Sequence, residues 1–129
     1  MSGKDFIKSR ILSIQYALDG IKYVLVTQQN AWIHAIFTLA VVSLGFLFGI
    51  NRLEWITLFL TVGLVWVAEL FNTAVEALVD LISPEHNNTA KICKDVSAGS
   101  VFVSALISIL VGLMIFGPPL WQWIRGLFK

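Results

Sequence analysis

The sequence predicts an all-α membrane protein: an N-terminal amphipathic surface helix and three transmembrane helices, forming a single domain over residues 1–129. Three observations carry that expectation. Hydrophobic residues make up 57% of the chain and charged ones 13%, and the mean hydropathy of +0.82 is far from the soluble norm. The apolar residues gather into long runs separated by short polar turns, as spans of ~20 residues require. Most charged residues sit at the ends of those runs, with one exception, a polar row inside an otherwise apolar helix.

The bulk numbers also exclude functions. A net charge of +1 creates no long-range field for nucleic acid, and no Lys/Arg cluster resembles a groove binder. The single cysteine, Cys93, excludes an intramolecular disulfide and a Cys-based zinc site; its expected place is a helix start. The opening MSGKDFIKSR lacks the compact apolar core and cleavage site of a secretory signal. So small a three-span chain has little interior of its own, and a homo-oligomer is expected.

Residues 5–27 carry Ile7, Ile11, Ile14, Leu18, Ile21 and Leu25 at alternating steps of four and three, which is helical periodicity. Lys4, Lys8, Arg10, Asp19 and Lys22 fall largely off this stripe, giving a basic amphipathic helix suited to a bilayer surface. Residues 31–50 form the first span, with His34 near its start as an anchor or hydrogen-bonding residue rather than a metal ligand. Asn51–Glu54 is a polar turn, and the second helix covers 53–82. The loop Ser83–Thr89, with Pro84 and paired asparagines, breaks the chain. A third span over 96–116 is expected to end at Gly117-Pro118-Pro119, with Trp121 and Trp123 as interfacial anchors. Lys4, Lys8, Arg10, Lys22, Lys91 and Lys94 fall on one side, against Arg52, Arg125 and Lys129 on the other. That bias predicts a cytoplasmic N-terminus and a cytoplasmic 83–95 loop.

The informative row is Glu69, Asn72, Glu76 and Asp80, which helical geometry places on one face over roughly 16 Å. Acids within or at the edge of a membrane helix are costly to keep and mark candidate sites. Glu69 lies deepest in apolar sequence, where it suits a general base. Glu76, nearer the cytosol, suits Mg²⁺ as a hard oxygen ligand. Asn72 is placed to donate to a phosphate oxygen, and Lys94 with Asp95 suits phosphate and its surroundings. Together these suggest phosphoryl transfer to a lipid hydroxyl, a reaction governed by positioning and charge neutralisation. The plainer readings stand beside it. Asn72 and Thr73 also fit interhelical hydrogen bonding. Asp80 and Glu85 fit solvated acids, and Lys94 with Asp95 fits a surface ion pair. On spacing alone, a non-catalytic helix bundle, such as an ion or proton conductor, weighs as much as an enzyme.

The segment Glu69-Leu-Phe-Asn-Thr-Ala-Val-Glu-Ala-Leu-Val-Asp80, then Glu85-His86 and Ala90-Lys-Ile-Cys-Lys-Asp95, resembles the signature of the prokaryotic diacylglycerol kinase family, which includes undecaprenol kinases. The likeness extends over nearly the whole chain. It implies a homotrimer in the bacterial cytoplasmic membrane, with active sites between subunits and with ATP, Mg²⁺ and a membrane lipid as substrates and cofactor. Carried over by position, Glu69 is the catalytic base and meets the lipid hydroxyl, and Glu76 is a metal ligand. Asn72 supports the nucleotide site, Lys94 with Asp95 holds the nucleotide phosphates and their surroundings, and Glu85, His86, Asn87 and Tyr16 match residues near the nucleotide. Arg10 corresponds, with its spacing shifted by about one residue, to a residue contacting the lipid. One departure stands out: Gln28 occupies the place of a second metal carboxylate, and no acid lies between Asp19 and Glu54. The resemblance leaves both acceptors, diacylglycerol and undecaprenol, with Asn30, His34 and Ala98-Gly99 closer to the undecaprenol branch.

Overall fold

Three breaks divide the chain into four helices, α1 (Gly3–Thr27), α2 (Gln29–Phe48), α3 (Arg52–Ile82) and α4 (Asn88–Leu127), in a computed structural model that describes residues 3–85 and 87–127. Among those residues there is no strand. α2, α3 and α4 are each long and apolar enough to cross a membrane. A helix satisfies its backbone polar groups internally except at its ends and where proline interrupts the ladder, as a lipid environment demands.

Each break has a local cause. Only Gln28 leaves helical geometry between α1 and α2, at φ −103° and ψ 117°, and its N–H still donates to the Val24 carbonyl at 2.9 Å. α2 stops at Gly49, whose φ of +61° lies in the left-handed region that glycine adopts without a Cβ clash. Asn51 then opens α3 through a capping box. Its Oδ1 accepts from the N–H groups of Leu53 (2.9 Å) and Glu54 (3.1 Å), while Glu54 Oε2 accepts from the Asn51 N–H at 2.7 Å. At the last break Asn87 Oδ1 accepts from the Ala90 N–H at 2.8 Å and so caps α4, while Asn87 Nδ2 donates to Ser83 Oγ at 2.7 Å.

The third membrane helix differs from the sequence expectation at both ends. It begins at Asn88 and runs through Pro118 and Pro119 to Leu127 rather than stopping at Gly117. The prolines remove two backbone donors, but their fixed φ is compatible with a helix. Gly117, lacking a Cβ, relieves much of the clash that a residue before proline ordinarily meets. Trp121 and Trp123 therefore sit on a continuing helix, where the Arg125 guanidinium lies 5.1 Å from the centre of the Trp121 ring.

α3 packs chiefly against α4, and Leu58, Ile115 and Phe116 form the buried centre with Val41, Leu44, Trp55 and Val111 around them. Lipid is as apolar as these side chains, so close packing rather than escape from water holds the helices together. Gly45 illustrates the tolerance: a Cβ there would lie 2.7 Å from Trp55 Cη2, and Trp55 is itself stacked on Phe59 at 5.3 Å. α1 buries only Val24, leaving Ile7, Ile11, Ile14, Leu18 and Ile21 exposed along one stripe.

Candidate active site

The polar row of α3 points into the protein from Glu69 to Glu76 and reaches solvent at Asp80. Thr61, Val65, Ala68, Glu69, Asn72 and Thr73 are buried at helical steps along one face, and half-buried Glu76 continues it. By the helical rise, Leu53 and Glu69 are separated by roughly 24 Å, most of a hydrocarbon core of ~30 Å. A span that starts at Leu53 would therefore reach its far margin close to Glu69, with the rest of the row farther out.

Glu69 is fully buried, and neither of its carboxylate oxygens accepts a hydrogen bond. The facing group is His34 of α2, whose Nε2 lies 3.7 Å from Glu69 Oε2. That is a close approach, longer than a hydrogen bond. One turn outward, Asn72 bridges α3 to α4. Its Nδ2 donates to Glu76 Oε1 at 3.1 Å, and its Oδ1 accepts from Ser97 Oγ at 2.7 Å. The Ser97 proton has a second acceptor in the Lys94 carbonyl at 2.9 Å, so the α4 backbone is tied to the same network. Two turns beyond Asn72, Lys94 Nζ meets Asp80 Oδ1 at 2.6 Å.

The structure therefore brings together Glu69, Asn72, Glu76 and Lys94 along the α3–α4 seam. Lys94 pairs with Asp80 rather than with its neighbour Asp95, and the Asp80 side chain stays 65% exposed, so Asp80 is a largely solvated acid in a surface ion pair. Sequence-adjacent residues on a helix point about 100° apart, whereas Asp80 faces Lys94 across the seam. Asp95 and Glu85 are exposed, and exposed Asn87 serves the α4 cap. Tyr16 and Arg10 lie on the exposed surface of α1, with the Arg10 guanidinium 5.4 Å from the centre of the Phe6 ring. Gln28 is half-buried at the α1–α2 break. His86 lies outside the described residues. Among the described residues no three His, Cys, Asp or Glu side chains converge on a metal position. His34 and Ser97 belong to the cluster but were not singled out for it from sequence. Their signal was topological: in antiparallel hairpins, residues equally far from the turn share a depth. His34 with Glu69, and Asn72 with Ser97, fit that rule.

The chain matches the model of the prokaryotic diacylglycerol kinase family over residues 15–116. It is 45% identical over 94 residues to an undecaprenol kinase of Bacillus subtilis, covering 73% of this chain and 76% of that one. It is 37% identical to a diacylglycerol kinase of Synechocystis, covering 85% of this chain and 63% of that one. A diacylglycerol kinase of Haemophilus influenzae is 32% identical, with 82% and 91% covered. A family match over most of the chain and relatives of this identity weigh against the non-catalytic bundle: the chain belongs to the prokaryotic diacylglycerol kinase family of membrane lipid kinases.

Proposed function

We propose that this protein transfers the γ-phosphoryl group of Mg²⁺-bound ATP to the hydroxyl of a membrane lipid. The product is undecaprenyl phosphate from undecaprenol or phosphatidic acid from diacylglycerol. The observation that carries the reading is the fully buried Glu69 carboxylate, which has no hydrogen-bond partner and lies one turn inward of the separate Asn72–Glu76–Ser97 network. A buried carboxylate with both oxygens free is costly, and a hydroxyl donor is the kind of ligand that relieves it. In the reaction the lipid oxygen attacks the γ-phosphorus, its proton passes to Glu69, and ADP leaves.

Glu76 is the residue for the metal. Mg²⁺ commonly takes one or two protein carboxylates, with phosphates and water completing its shell. A single carboxylate therefore fits an ion that arrives on the nucleotide, and it does not fit a resident metal. The Gln28 amide is a neutral candidate for a further oxygen. Asn72 orients Glu76, while Lys94 exchanges Asp80 for a phosphate oxygen, with Asp95, Glu85, His86, Asn87 and Tyr16 toward the rest of the nucleotide and Arg10 toward the lipid headgroup region. The N-terminus and the 83–95 segment lie on the cytoplasmic side of the bacterial inner membrane, α1 rests on its surface, and three copies assemble around shared sites. The higher identity to an undecaprenol kinase puts undecaprenol first among acceptors.

Purified protein supplied with radiolabelled ATP, Mg²⁺ and each lipid separately tests this. Label entering an organic-soluble lipid phosphate is expected, most rapidly with undecaprenol. Label entering neither lipid refutes the proposed reaction, and faster transfer to diacylglycerol reverses the acceptor assignment.

A further inference from the structure

Three buried polar atoms face one another without a hydrogen bond: Glu69 Oε1, Glu69 Oε2 and His34 Nε2. Buried polar atoms are overwhelmingly paired, so three orphans at one point demand a reason. His34 Nε2 is 3.7 Å from Glu69 Oε2, so a shift of well under 1 Å brings the pair within hydrogen-bonding range. One side of the imidazole is also flanked by an indole. The Trp66 ring meets it edge-on, with centres 6.3 Å apart and planes at 68°. Trp66 Nε1 donates to Thr38 Oγ1 at 3.1 Å, and the Thr38 hydroxyl donates to the His34 carbonyl at 2.7 Å. The indole beside the ring is thus tied to the turn that carries it. The nearby acid on α3, Glu76, has one oxygen occupied by Asn72.

We infer that His34 is a positioning residue for Glu69: its Nε2–H holds Oε2 and fixes the carboxylate plane, so that Oε1 is presented to the acceptor hydroxyl. This rests on the reading of Glu69 as the base. During transfer the hydroxyl proton moves to Oε1 as the new oxygen–phosphorus bond forms and the bond to ADP breaks. His34 neither gains nor loses a proton in that step. Its contribution is geometric, and small misplacements of a reacting group are expensive.

The test compares His34→Leu, which keeps apolar bulk but lacks a donor, with His34→Gln, whose amide carries an N–H at similar reach. Both are assayed at equal amounts of membrane-inserted enzyme, alongside Glu69→Gln. Misplacement of a reacting group by about 1 Å costs up to about a hundredfold, so loss of this tether corresponds to roughly a ten- to hundredfold fall in kcat. His34→Leu is expected to show that fall, with KM for ATP and lipid within about twofold of the parent. His34→Gln is expected to retain activity within about fivefold of the parent, because the donor is kept. Equal impairment of the two variants, parent-like rates in both, or a loss confined to KM overturns the inference. If Glu69→Gln is inactive while His34→Leu turns over normally, only the positioning role fails. If Glu69→Gln turns over normally, the base assignment fails with it.

Discussion

Asn72 is the joint of the polar network, and its replacement by alanine or aspartate separates packing from charge. The side chain is 5% exposed, donates to Glu76 and accepts from Ser97. In Asn72→Ala the Ser97 hydroxyl keeps its alternative acceptor in the Lys94 carbonyl, so the main loss is one hydrogen bond to a carboxylate. A cost of about 2 kcal/mol follows. Asn72→Asp changes fewer atoms yet sets an oxygen where a donor lies 3.1 Å from Glu76 Oε1. Two unit charges at that spacing repel by roughly 5 kcal/mol at an effective dielectric of ~20. Water at half-buried Glu76, and a proton shared between the two acids, lower this to a cost of roughly 1–3 kcal/mol. The aspartate variant should therefore lose about as much stability as the alanine one, although it is nearly isosteric. Millimolar Mg²⁺ should reverse part of its loss, because two facing carboxylates suit a hard cation. Thermal unfolding in detergent micelles, with and without Mg²⁺, reads both effects. An Asn72→Asp variant as stable as the parent, or one indifferent to Mg²⁺, would refute this account of the network.

Three further perturbations follow from the same geometry. Gln28→Glu restores a charge at the position where a second metal carboxylate is expected, and should lower the Mg²⁺ concentration needed for half-maximal transfer; an unchanged requirement removes Gln28 from the metal's surroundings. Gly45→Ala forces a Cβ to within 2.7 Å of Trp55 Cη2 and should lower the unfolding midpoint by a cost of about 1–3 kcal/mol, against a helix-propensity gain of at most about 1 kcal/mol. A midpoint that rises would show that Trp55 moves aside freely. Asp80→Asn removes an ion pair whose side chains are 65% and 38% exposed, so its effect on stability should stay below about 1 kcal/mol. Steady-state kinetics should instead show KM for ATP falling about two- to fivefold as Lys94 is released, and a rise would mean that Asp80 assists the lysine rather than competing for it.

The helices and most of the site were legible because period and hydropathy are local properties. The apolar runs located the spans, and the polar stretch Asn51–Glu54 marked the first hairpin. The inward face of Glu69, Asn72 and Glu76 followed from spacing combined with the cost of placing acids against lipid. What escaped was non-local. Proline statistics placed an end at Gly117, but the helix continues through both prolines to Leu127; Gly117 eases the ring of Pro118, and nothing in the structure accounts for Pro119. His34 lies far from Glu69 in sequence, and only the antiparallel turn between α2 and α3 sets them at one depth. Asp80 meets Lys94 for the same reason across the second turn. Arg10 and Tyr16 occupy an α1 surface that this chain leaves uncovered, so their part in a site depends on what lies against that surface.

Glu69→Gln tests the central claim most directly. The substitution keeps size and shape while removing the oxygen that would take the acceptor's proton. Transfer of label from ATP to lipid should fall by at least about a hundredfold, the lower range of general-base contributions, with the protein still inserted and its unfolding midpoint preserved. Turnover at the parent rate in that variant would mean that the buried carboxylate is not the base.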